Sequence, residues 1–155
     1  MDPRQLLVIS HCPSPNVVDL SDAVVAGARE GGESAVTVRS LSPFDANPRD
    51  VRNCDGIILG TTENFGYMSG ALKDFFDRIY ESCLNQTAAK PYALFVKAGQ
   101  DGSGARDSVE RIVTGLRWRR VAEPLVMTGP MQKVWLAQCT ELGATMGAGL
   151  SIGLF

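Results

Sequence analysis

The sequence predicts an α/β fold in which a parallel sheet is covered on both faces by helices. Three observations carry this. Apolar strand-like runs recur five times, at LLVIS (6–10), AVTVRSL (35–41), GIILG (56–60), YALFVKAG (92–99) and PLVMTG (124–129). Segments with helical spacing separate them. GIILG is apolar throughout, as a strand covered on both faces requires, rather than alternating.

The elements follow in order. After LLVIS, the residues Val17, Leu20, Val24 and Ala28 recur at close to helical spacing, and Gly31-Gly32 is expected to stop that helix. AVTVRSL alternates as a strand does, and a short helical turn is expected over 48–53. The strongest helix follows GIILG: Leu72, Phe75, Phe76, Ile79, Tyr80 and Cys83 make one apolar stripe. On its other side Lys73/Asp77 and Asp74/Arg78 are spaced i,i+4, and Ser69 suits the N-cap. YALFVKAG leads through a glycine-rich loop to a helix carrying Val109, Ile112, Val113 and Leu116. A last helix is expected from Met131 to about Met146. Right-handed crossovers between five such strands favour the spatial order 2-1-3-4-5. With no linker, repeat or low-complexity stretch, residues 1–155 are expected to form one domain.

The chain has 155 residues, enough to bury roughly two thirds of its unfolded surface. A net charge of −2 gives no field to draw in nucleic acid or an anionic membrane. No apolar run approaches the ~18 residues of a membrane helix, and the N-terminus lacks the core of a secretion signal. The cysteines Cys12, Cys54, Cys83 and Cys139 are scattered without a CxxC pair, and a single histidine leaves a Cys/His metal site too few partners. A reduced, cytoplasmic chain is the expectation, with Cys83 and Cys139 packed as small hydrophobes.

In a sheet of this order, ligands bind beyond the carboxyl ends of the strands where the order reverses. That gathers the loops after strands 1, 3 and 4. The first, SHCPSPN (10–16), offers Ser10, Ser14 and Asn16 as donors at the positive end of the following helix, which suits a phosphate monoester. Pro13 and Pro15 each remove an N–H, and Ser14-Pro15 also reads as a self-sufficient cap, so both readings stand. His11 adds a donor or is merely solvated. In the second loop, TTENFGY (61–67), Gly66 admits conformations closed to other residues, and Phe65 or Tyr67 either faces a ring or packs against protein. In the third, AGQDGSGA (98–105), Gly99, Gly102 and Gly104 suit close approach of backbone to a planar ligand.

One loop suited to an anion and two suited to a flat heterocycle describe a nucleotide with one phosphate end. FMN fits better than a dinucleotide. No GxGxxG follows strand 1, Arg39-Ser40 stands where an acid would grip a ribose, and no Walker loop exists.

The stretch GTTENFGYMSGALKDFFDRIY (60–80) resembles the flavodoxin-like superfamily, specifically its NADPH-dependent FMN reductase and quinone reductase branch. Ser10 and Asn16 resemble the ends of that branch's phosphate loop. The resemblance implies a three-layer flavodoxin-like fold with a five-stranded parallel sheet of order 2-1-3-4-5. It implies that Ser10, His11, Ser14, Pro15, Asn16 and Val17 occupy phosphate-loop positions, Val17 standing where a threonine hydroxyl is usual. Thr62, Glu63, Asn64, Phe65, Gly66 and Tyr67 then fall where the family contacts the isoalloxazine ring. Ala98, Gly99, Gln100, Asp101 and Gly102 fall where the loop after strand 4 closes over it.

The function so implied is noncovalent FMN binding, hydride uptake from NAD(P)H and electron delivery to a quinone, a flavin or a similar acceptor. The cofactor carries the chemistry, so no catalytic acid or base is named. Glu63, an awkward neighbour for an anionic reduced ring, is expected to point outward or to lower its potential. The alternatives are a one-electron carrier flavodoxin, whose family resemblance implies a strongly acidic docking surface for which a net −2 is too mild, and a scaffold that has lost flavin. Members of the family it resembles are often dimers or tetramers with the active site near an interface, so the resemblance implies a homodimer or homotetramer as an expectation. Leu150, Ile152, Leu154 and Phe155 are expected to be buried against the fold or a second subunit. The Arg117-Trp118-Arg119-Arg120 run either complements a helix end or meets a pyridine nucleotide.

Overall fold

The computed structural model describes residues 2–155, and a parallel sheet forms its centre. Its strands are β1 (Arg4–Ser10), β2 (Val36–Leu41), β3 (Gly56–Asn64), the short return β4 (Tyr67–Met68), β5 (Pro91–Ala98), β6 (Arg119–Arg120) and β7 (Leu125–Thr128). β2 pairs with β1, β1 with β3 and β3 with β5, all parallel. β6 and β7 both pair with β5, at Pro91–Tyr92 and Phe95–Ala98 respectively. Counting the five strands foreseen from the sequence, the order is 2-1-3-4-5, with the fifth position divided in two.

Alternate residues of the buried strands feed two cores. Leu7, Ile9, Ile57, Leu59, Leu94 and Val96 pack under α2 (Pro48–Asn53), α3 (Gly70–Cys83) and α4 (Ser103–Gly115). Leu6, Val8, Ile58, Ala93 and Phe95 pack under α1 (Pro15–Gly32) and α5 (Val134–Ser151). Each such side chain contributes about 1.5–3 kcal/mol on burial, which explains why the runs are apolar rather than alternating. The stripe foreseen on α3 faces the first core, and its ion pairs lie outside, Lys73–Asp77 at 2.6 Å and Arg78–Asp74 at 2.7 Å. Ser69 caps α3 by accepting from the Leu72 N–H at 3.2 Å.

α1 ends at Gly32, where Gly31-Gly32 was expected to stop it. Gly27 and Gly31 also face α5, where a Cβ would come within 2.0 Å of the Thr140 carbonyl oxygen and 2.4 Å of that of Ala144. Gly143 and Gly147 answer from α5, at 2.0 Å from the Val24 oxygen and 2.3 Å from that of Ala28. The glycines therefore make a seam along which the two helix backbones touch.

Other boundaries shift for local reasons. The fifth strand divides because Pro124 has no N–H to give β5, while the Val121 N–H still reaches the Tyr92 oxygen at 3.1 Å. The arginine run lies beside the start of β5, at the opposite end of the sheet from the three loops, which removes it from any ligand there. Trp118 is buried, its indole N–H donating to Thr87 Oγ1 at 2.8 Å, and Arg120 pairs with Glu110 at 3.3 Å. At the C-terminus Leu150 is buried and Phe155 packs over Gly149, while Ile152 and Leu154, 74% and 67% exposed, are not buried against the fold of their own chain.

All four cysteines are free, and Cys54, Cys83 and Cys139 are buried. Burial pushes the Cys139 thiol from 9.0 up to about 12 and raises Cys54 and Cys83 as well. Among the described residues no helix is long and apolar enough to cross a membrane, and no cluster of three metal-ligating side chains occurs.

Gly143→Ala should destabilise the protein by about 1–3 kcal/mol in urea unfolding, because steric overlap with Val24 outweighs alanine's gain of ~1 kcal/mol in helix propensity. The raised Cys139 value gives stability that is complete below pH 9.0 and is lost as pH rises toward about 12. Unfolding free energy should therefore decline across that window, with a ceiling of roughly 4 kcal/mol from this thiol, and Cys139→Ala should flatten the slope.

Candidate functional site

The rim formed by the carboxyl ends of β1, β3 and β5 brings the three loops together. In the first, Ser10 closes β1 with its hydroxyl against Ser21 Oγ at 2.7 Å and Cys12 Sγ at 3.4 Å. The His11 N–H donates to the Gly60 oxygen at 3.1 Å, tying this loop to β3. His11 Nδ1 is buried and has no hydrogen-bond partner among the described residues. Such orphaned polar atoms are rare in native proteins. Ser10, His11, Cys12, Ser21 and Asp22, with 40–42, line a cavity of about 330 Å³.

Ser14 takes the N-cap position in extended conformation, and Pro15 stands in the first turn, as the sequence indicated. The self-sufficient cap does not form: no side-chain hydrogen bond closes the helix end among the described residues. The first intrahelical bond runs from the Val18 N–H to the Ser14 oxygen at 3.0 Å. The amides of Asn16 and Val17, ahead of it, are donors that the helix ladder cannot satisfy.

The second loop is a hairpin rather than irregular chain. β3 continues through Glu63 and Asn64, and β4 returns antiparallel, with Asn64 opposite Tyr67 and Glu63 opposite Met68. Phe65 and Gly66 make the two-residue turn at φ 54° and 71°, the pattern of positive angles that matches strand twist in type I′ hairpins. Glycine tolerates this; phenylalanine does so at a cost. Phe65 is fully exposed (108%), and no atom approaches within 4 Å of the Cβ position of Gly66 among the described residues. Thr62 Oγ1 donates to Asn64 Oδ1 at 3.1 Å, and Tyr67 is exposed. Buried Thr61 accepts from the Ser69 N–H at 2.9 Å, seating the hairpin on α3.

In the third loop Ala98 is buried, and space is open beside Gly99 among the described residues. Gln100 and Asp101 are exposed, and Asp101 accepts from the Ser103 hydroxyl. Gly102, at φ 82°, is the N-cap of α4 and has no cap from its own side chain. Lys97 Nζ donates to the carbonyl oxygens of Gly129 at 2.7 Å and Ala98 at 3.2 Å, and lies 5.5 Å from the Trp135 ring centroid.

Glu63 departs from the first of its two expected roles. It does not point outward: its carboxylate accepts from the Gly102 N–H at 3.0 Å and the Ala105 N–H at 2.9 Å, capping α4 from another loop. The Met68 N–H donates to Ser108 Oγ at 3.1 Å, and the Gly66 carbonyl lies so close to Gly104 that a Cβ there would come within 2.1 Å. Sequence reasoning missed Thr61, Lys97, Ser108 and Ser21. The Glu63–Gly102 bond spans 39 positions and leaves no local spacing to detect it. Thr61 and Ser21 are buried polar residues, recognisable only once burial is known.

A curated NAD(P)H dehydrogenase (quinone) of Archaeoglobus fulgidus is 32% identical over 95 residues, 47% of this chain and 50% of the relative. A flavodoxin of Aquifex aeolicus is 30% identical over 114 residues, 72% of this chain and 60% of the relative. The chain spans about half the length of the curated quinone dehydrogenases it matches. Among solved structures, a flavodoxin from the domain Archaea superimposes with a TM-score of 0.80 at 18% identity, covering 94% of this chain and 98% of that one. The fold is thus the three-layer flavodoxin-like fold. The family model for NADPH-dependent FMN reductase matches residues 16–130, from the first turn of α1 through the end of β7, and the chain belongs to that family.

Proposed function

We propose that this protein is an FMN-dependent NAD(P)H oxidoreductase that delivers electrons to a quinone, a free flavin or a similar small acceptor. The observation that carries the reading is the N-terminus of α1, left without a side-chain cap at the rim where the ring-suited loops also end. The residues present fit FMN. The open amides of Asn16 and Val17 and the Ser14 hydroxyl suit a monoester phosphate. The open faces of Gly66 and Gly99 and the exposed Phe65 suit a planar ring.

In this reading Thr62, Asn64, Phe65, Gly66 and Tyr67 hold one side of the ring, and Ala98 through Gly102 the other. Bound FMN supplies the hydride-accepting ring. The chain's own residues bind and orient: backbone groups of the hairpin present donors and acceptors to the ring edge. Lys97 fixes the Ala98 and Gly129 carbonyls and adds positive charge close to the rim. Pro13 and Pro15 leave the phosphate fewer amides than an all-amide loop. The names of the curated relatives support a quinone as acceptor. The mild net charge of −2 favours a reductase over a carrier that docks redox partners through an acidic face. Four free thiols support a reducing, cytoplasmic setting.

Purified protein mixed with FMN should turn yellow with a perturbed flavin spectrum at micromolar concentration. It should then oxidise NADH or NADPH in the presence of a benzoquinone, in an FMN-dependent manner. Colourless protein with no micromolar affinity for FMN would overturn the reading. Phe65→Asn, which suits the left-handed turn better, should raise stability by about 1 kcal/mol while weakening FMN binding. Loss of stability would contradict the turn assignment.

A further inference from the structure

We infer that Glu63 is a positioning residue that locks the two ring-holding loops into one rigid unit, and that FMN affinity and turnover depend on that lock. The inference deepens the FMN reading and rests on it. Glu63 leaves β3 at the base of the hairpin, and its two carboxylate oxygens take different amides of the α4 first turn, Gly102 at 3.0 Å and Ala105 at 2.9 Å. A carboxylate at a helix N-terminus accepting two amides is charge-assisted and directional. The same junction is reinforced at the Met68 N–H by Ser108 Oγ, which in turn donates to the Ala105 oxygen at 2.8 Å.

The packing leaves no slack at this junction. A Cβ on Gly104 would come within 2.1 Å of the Gly66 carbonyl oxygen, and one on Gly102 within 2.4 Å of Val126 Cγ1. The hairpin tip, the third loop and β7 are therefore stacked against one another, with Glu63 as the charged tie between the first two. Phe65 and Gly66 belong to one of the two joined loops and Gly99 to the other. Glu63 thus sets the spacing of the two walls and, because its oxygens are spent on amides, is a poor direct partner for the ring.

The lock requires both length and two acceptors, which separates it from a simple effect of charge. Glu63→Asp keeps the charge but is one methylene short; Glu63→Gln keeps the length but offers a single acceptor oxygen. Amide exchange in the apoprotein should rise at least tenfold at Gly102 and Ala105 in Glu63→Ala, and by a smaller factor in both conservative variants. Amides of β3 and β5 should stay protected, which shows that each variant folds. With FMN added, all three variants should bind it more weakly, Glu63→Ala by about tenfold, and kcat at saturating FMN should fall while the KM for NAD(P)H holds.

Unchanged exchange at Gly102 and Ala105 in Glu63→Ala would overturn the lock. Wild-type affinity and kcat in Glu63→Asp, with Glu63→Gln as weak as Glu63→Ala, would assign the effect to charge and overturn positioning. Failure of the wild-type protein itself to bind FMN would overturn the functional reading, while the exchange experiment would still decide whether Glu63 joins the loops.

Discussion

Backbone-to-backbone contact between α1 and α5 fixes where the N-terminus of α1 points, and the rim is built from that fixed point. Gly27 and Gly31 on one helix and Gly143 and Gly147 on the other remove the side chains that would hold the axes apart. Val17, Leu20, Val24 and Ala28 then bury fully against the sheet. A slide or rotation would bring the carbonyl oxygens of one helix against residues of the other that carry a Cβ. The loop that leads into the first turn of α1 is tied to β3, where the Gly60 oxygen accepts from the His11 amide. A stripe of small residues far from the rim thus determines the placement of the donors on it.

Two helix N-termini, those of α1 and α4, meet the same rim, and the protein treats them differently. α4 receives an internal carboxylate, Glu63, on the amides of Gly102 and Ala105. α1 receives no side-chain cap among the described residues, and prolines at 13 and 15 thin out its amides without closing them off. An anion arriving at the rim therefore meets a filled positive pole on one side and an open one on the other. Under the proposed function, the phosphate end of the ligand goes to α1 and its ring to the space along the hairpin and Gly99. The strained backbone of Phe65, exposed at the tip, is consistent with a side chain retained for contact rather than for folding.

Much of this was legible in the sequence because it depends on periodicity. The five strands, the α3 stripe with its external ion pairs, the Ser69 cap and the short α2 all rest on residues within a few positions of each other. The strand order followed from handedness once the elements were placed. What escaped depends on contacts distant in sequence. Gly31-Gly32 ends α1 as read, but the packing of Gly31 on α5 shows only once that helix lies across it, and TTENFGY reads as loop until pairing with Tyr67 and Met68 extends β3. Glu63 reads as an exposed acid until α4 arrives to be capped. Ile152 and Leu154 are apolar but project beyond the last turn of α5, where nothing among the described residues covers them.

The claim that organises this account is that the uncapped end of α1 holds a phosphate monoester. Comparing the affinities of FMN and riboflavin, which differ only by that phosphate, tests it most directly, for instance by quenching of flavin fluorescence in parallel titrations. The account predicts FMN binding at least tenfold tighter, about 1.4 kcal/mol or more. Equal affinities for the two flavins would contradict it.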